Sequence, residues 1–162
     1  MPINHDLLPN LKPGAYRIMS PEATQYNGIA GAAGISEEWW DPAMGYPWPA
    51  DLPHDVSVET LGKVYERCGF VVCDNAELEH GLEKIAIYGA SGEWEHAARQ
   101  LSSGKWTSKM GPDEDIEHDS PEDLAGGAFG LVVRIMKRPI ATPANGNAFR
   151  MASALIASRP DG

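Results

Sequence analysis

Val58, Leu61, Val64, Tyr65 and Cys68 recur at the 3.6-residue spacing of an amphipathic helix. Ser57 stands where a cap would accept a hydrogen bond from the first turn, and Gly69 where the chain would turn away. This is the best-defined helix in the sequence. From residue 70 the period shortens to two, and strands are expected at 70–73, 84–88, 94–101, 105–110 and 129–137. Gly89-Ala90-Ser91-Gly92 and Ser102-Ser103-Gly104 read as hairpin turns between them. Alternation puts Trp94, His96, Ala98 and Gln100 on one face of their strand. A tight turn centred on Ser103 sets His96 opposite Met110, with Ser108 placed diagonally on the same face.

Ahead of residue 57 the pattern is less regular. Pro9, Pro13 and Pro21 are spaced around Leu7, Leu8, Leu11 and Tyr16, which predicts an extended arm over residues 1–14 and a short strand at 16–19. Tyr26-Asn27-Gly28-Ile29-Ala30-Gly31-Ala32-Ala33-Gly34 is a run of tiny side chains, with Asn27 as a helix cap and Gly34 as its stop. Two internal glycines weaken such a helix by about 1 kcal/mol each relative to alanine, so packing has to hold it. Residues 37–53 carry Trp39, Trp40, Tyr46 and Trp48 among four prolines and read as an ordered loop whose rings wall a cleft. Residues 113–119 are an acidic run, expected as a solvated loop, and Ser120-Pro121-Glu122 opens one helical turn. Beyond Pro139 a linker leads to a final helix capped by Asn147, with Phe149, Ala152, Leu155 and Ile156 on one face.

Composition narrows the function classes. The 162 residues fit one domain with a single core. Thirteen Lys and Arg against 23 Asp and Glu leave a net charge of −10, which repels nucleic-acid backbones and anionic membrane surfaces. Neither partner is expected. No apolar run approaches the ~20 residues of a membrane span, the N-terminus lacks the layout of a signal peptide, and Cys68 and Cys73 are too few for a secreted disulfide framework. A cytoplasmic location follows. His54, His80, His96 and His118 are scattered among acids without ligand spacing, and Asp113, Asp115 and Glu117 lack the glycine and glutamate of a calcium loop. Neither metal nor cofactor is expected.

A small-residue helix, then antiparallel strands with a histidine opening the middle one, is the order in which papain-like thiol hydrolases assemble their site. The chain resembles, over roughly residues 15–138, a small uncharacterised bacterial domain family placed among those cysteine peptidases and amidases. The matching stretches are Tyr26 to Gly34, Trp39-Trp40-Asp41-Pro42, Glu83 to Tyr88, His96-Ala97-Ala98-Arg99-Gln100, Trp106-Thr107-Ser108-Lys109-Met110-Gly111 and Asp115-Ile116-Glu117-His118-Asp119. The resemblance implies a papain-like α+β fold, with a central antiparallel sheet packed against the N-terminal small-residue helix and a second helix. It divides the chain into an arm at 1–14, the domain at 15–139, and a linker and C-terminal helix at 140–162.

The family pattern places cysteine at the position of Gly28 and tryptophan at that of Gly31, and this sequence departs at both. Glycine has nothing to ionise. His96 would be the base, with Ser108, Asp113 or Asp115 to orient it, and Asn27, Gly28, Trp39 and Trp40 would form the binding cleft. A cysteine placed at 28 would be expected to titrate at roughly 3.5–7.5, because first-turn N–H groups and a nearby histidine favour the thiolate. Three functions compete. The first is a nucleophile-lacking thiol-hydrolase-fold protein that acts by binding or regulation, on a protein or peptide partner. The second is an active peptidase or amidase using Cys68, Cys73 or Ser108. The third is a structural or inhibitory partner protein that associates through its C-terminal helix.

Overall fold

The computed structural model describes residues 7–12, 14, 16–20, 27–35, 38–43, 45–110 and 115–140. The C-terminal helix expected beyond Ile140, and Asp113, lie outside them. Ser57 caps α2 (Val58–Arg67), accepting a hydrogen bond from Thr60 N, and Gly69 leaves it with φ of 96°. Its buried face carries Leu61, Val64 and Tyr65, each contributing about 1.5–3 kcal/mol by leaving water. Asn27 caps α1 (Gly28–Ala32), and with glycines at 28, 31 and 34 that helix is only five residues long.

Seven strands form one sheet in the order β1-β6-β5-β4-β3-β7-β2, with every neighbouring pair antiparallel. They are β1 (Tyr16–Ser20), β2 (Val71–Cys73), β3 (Leu82–Ala90), β4 (Glu93–Gln100), β5 (Trp106–Lys109), β6 (Asp115–His118) and β7 (Leu131–Pro139). The β3–β4 turn is Ser91-Gly92, both at positive φ, the geometry that matches the twist of a two-residue hairpin. A 3-10 turn spans Pro121–Leu124.

This architecture overturns the papain-like α+β expectation. The described residues form mostly a seven-stranded antiparallel sheet with two short helices, and α1 is too short to be the helix on which a papain-like domain is built. The acidic run also departs from its expected loop, since residues 115–118 form β6 between β1 and β5. Ile116 and His118 are buried on one face while Asp115 and Glu117, half-buried, alternate to the other, and burial of the first face outweighs the low strand propensity of the acids.

Two cores flank the sheet. Ile29, Ala30, Trp40, Trp48, Leu61, Tyr65, Ile87 and Ala97 join on the helix side. Tyr88, Ala98, Trp106, Ile116 and Leu124 join on the other, closed by Leu8 and Leu11 of the N-terminal arm. Arg138 ties the first core together, since its guanidinium donates to Cys68 O and Ala33 O, the C-caps of both helices. It also pairs with Glu83 and lies over the Phe70 ring at 4.2 Å. No helix among the described residues is long and apolar enough to cross a membrane.

Candidate functional site

The start of α1 is held from three sides. Asn27 Oδ1 accepts from Ala30 N and Trp40 N at 3.1 Å, and its amide donates to Trp40 O at 2.7 Å. Tyr65 donates its hydroxyl to Ile29 O from α2. Asn27 therefore spends its amide on the backbone. Trp40 is fully buried in the core, and Trp39 lies half-buried against Tyr46 with ring centroids 6.4 Å apart. These rings fasten the 38–48 loop to the helix and do not line the pocket described below.

Gly28 and His96 are neighbours. A Cβ on Gly28 would stand 3.1 Å from His96 Cε1, 3.2 Å from Nδ1 and 3.1 Å from Lys109 O. The approach comes from the sheet. Pairing of β4 with β5 is recorded only at Arg99↔Thr107 and Gln100↔Trp106, so toward His96 and Lys109 the two strands leave room for the first residue of α1. Ala97, and not Ala98, belongs to the helix-side core, so the face of β4 that carries Ala98 looks away from α1. A register shift between Tyr88 and Gly89 sends Trp94 to the helix side, and His96 reaches Gly28 at the edge of β4.

His96 is buried, stacked on Phe129 at 4.3 Å and 9°, and tilted against Tyr88 at 5.3 Å. Its Nε2 has no hydrogen-bond partner among the described residues. Burial, with a smaller push from the charge of His118, pulls its pKa down to about 3. At neutral pH it is an uncharged imidazole.

The other two expected catalytic residues, Ser108 and Asp115, make hydrogen bonds to His118 and Thr107. Ser108 Oγ is 2.8 Å from His118 Nε2, and His118 Nδ1 is 2.9 Å from Ser120 O. A carbonyl only accepts, so the network assigns the proton to Nδ1 and makes Ser108 the donor to Nε2. Burial depresses the His118 pKa, opposed by its bond to Ser120 and by Asp123, Asp119 and Asp115. This hydroxyl–imidazole pair has the form of a nucleophile with its base, yet both residues are 1% exposed. Asp115 lies in register with Lys109 and accepts a hydrogen bond from Thr107. Cys68 is buried at the end of α2, donates to Val64 O, and burial pushes its thiol up to about 11. Cys73 donates to Asn75 O. Among the described residues no three His, Cys, Asp or Glu side chains gather as metal ligands would.

A pocket of about 260 Å³ opens beside Gly28. Gly28, Gly31, Ala32 and Ile35 form its helix wall, and Ala97, Arg99, Thr107, Lys109 and Asp115 form its sheet wall. Arg99 and Lys109 were missed because they stand on the odd-numbered positions of β4 and β5, away from the face of β4 that carries the histidine. The same alternation puts Arg99 with Ala97 and faces it toward the glycine-bearing helix. His118 stands out along the chain only as one of the scattered histidines.

No curated protein and no solved structure matches the chain. One family model does, over residues 17–137, which run from β1 through nearly all of β7. Nearly all of the sheet, both helices and the pocket fall inside that span, and the chain belongs to this family, described as a domain of unknown function (DUF7689).

Proposed function

We propose that the protein works by binding and not by turnover, with the pocket beside Gly28 as its receptor site. The lining carries the argument. It has no thiol, and its one hydroxyl among the described residues, that of Thr107, already donates to Asp115. Nucleophilic catalysis needs a nucleophile within hydrogen-bond reach of a base. The imidazole beside the pocket has glycine as its neighbour, and the serine that has an imidazole is shut inside the sheet. Gly28 and Gly31 bring no functional group to the lining. The two unbridged cysteines fit a reducing, cytoplasmic setting.

Incubation with fluorogenic peptide, amide and ester substrates should show no turnover above buffer. Fluorophosphonate and iodoacetamide probes should leave no adduct whose formation depends on His96 or His118. Hydrolysis that disappears in His96→Ala or Ser108→Ala would overturn the binding reading and make this an enzyme.

A further inference from the structure

We infer that the pocket beside Gly28 takes a small monocarboxylate, held by the Arg99 guanidinium. The inference rests on the binding reading above and names its ligand class. Arg99 reaches the pocket from β4, and its Nε is buried without a hydrogen-bond partner among the described residues. A buried N–H left unmatched costs about 1–3 kcal/mol, more on a charged group, and an acceptor brought by a ligand beside Arg99 would satisfy it. Lys109 adds a second cation to the lining beside the Asp115 carboxylate, in a chain whose net charge is −10. The planar guanidinium presents Nε–H and a terminal N–H side by side, the fork that meets both oxygens of a carboxylate.

Size and lining restrict the rest of the ligand. About 260 Å³ is below the ~300–1,000 Å³ of sites for drug-sized molecules, so the occupant is a fragment. The wall opposite Arg99 is Gly28, Gly31 and Ile35, without charge, and suits a short aliphatic body. A free amino or short-chain carboxylic acid and the C-terminal residue of a peptide share this chemistry.

The Arg99 side-chain Nε–H gives a direct readout by 1H–15N NMR on the unaltered protein. Titration with N-acetyl-leucine, leucine, butyrate and a tetrapeptide ending in leucine should shift the Arg99 Nε resonance together with the Gly28 and Gly31 amides. Leucinamide and the C-terminally amidated tetrapeptide should bind at least tenfold more weakly. The free acids and the tetrapeptide then separate the two sources. Arg99→Lys, which keeps the charge and loses the fork, should weaken binding about tenfold, and Arg99→Gln should abolish it while the remaining amide spectrum stays dispersed.

Amidated and free ligands binding alike, inorganic phosphate binding more tightly than any carboxylate, or an Arg99 Nε signal indifferent to all of them would overturn the carboxylate assignment. The binding reading fails differently. Turnover of a bound amide would remove that reading, yet Arg99-dependent selection of the carboxylate would still support the ligand class.

Discussion

Replacing Gly28 with cysteine asks whether position and partner alone make a nucleophile. The new Cβ would lie 3.1–3.2 Å from the His96 ring and 3.1 Å from Lys109 O, so once the ring yields by a few tenths of an ångström the thiol has an imidazole within reach. Two effects then compete over the thiolate. Burial is the main reason that His96 falls from 6.5 to about 3, and at about 1.4 kcal/mol per pKa unit the site opposes a charge by roughly 5 kcal/mol. Against this, the free N–H groups at the start of a five-residue helix supply at most about 1 kcal/mol, and a neutral His96 adds an acceptor but no charge. Desolvation wins. The thiol should titrate above about 8.5, the reverse of the roughly 3.5–7.5 expected from sequence, and Cys68, pushed up to about 11, shows the same sign. Alkylation rate against pH would be measured for Gly28→Cys in a Cys68→Ala, Cys73→Ser background, with and without His96→Ala. An inflection below pH 7 that moves upward when His96 is removed would refute the reasoning, because thiolate and imidazolium would then be charging together inside the fold.

The same histidine sets a pH dependence of stability. Its folded pKa is depressed, so its contribution is complete above the unfolded value of 6.5 and is lost as pH falls toward 3. At pH 4.5 His96 alone should cost about 3 kcal/mol, with His118 acting in the same direction, and His96→Gln should flatten part of the slope in urea midpoints measured from pH 7 to 4. Arg138→Met strands Glu83 and leaves two helix C-caps without their donor, which should cost about 3–5 kcal/mol by urea unfolding. Adding Glu83→Gln should return part of that loss, and a double variant as unstable as the sum of the singles would show that the charge pair is not the cause.

What the sequence disclosed was local. The 3.6-residue spacing and cap found α2, and the turn residues found both hairpins, while the β4–β5 pairs are Arg99↔Thr107 and Gln100↔Trp106 and do not extend to the expected His96 and Met110. Alternation could not say which face of β4 meets α1, since both faces are apolar enough to be buried and a register shift near Gly89 exchanges them. β6 was hidden because Asp115 and Glu117 dominate its composition, and pairing with β5 on one side and with β1, about a hundred residues earlier, on the other makes it a strand. Gly28 and His96 were brought together by a resemblance in order along the chain, and their contact survives without the papain-like fold that suggested it. Ser108 bonds instead to His118, ten residues on, which stands diagonally across the β5–β6 pair, where Ser108 is in register with Ile116 and His118 with Trp106.

The last strand of the sheet is not at its edge. β3 to β6 follow one another as a meander, whereas β7 slides between β3 and β2 and covers β3 over eight residue pairs. A ribosome delivers the chain N-terminus first at about 5–20 residues per second, so the meander can pair hairpin by hairpin while β2 waits without a neighbour. The sheet closes only after Pro139 has emerged. A chain arrested before Leu131 presents the long, buried-type edge of β3, with Ile85, Ala86, Ile87 and Tyr88 along it, as an open template for any other strand in reach.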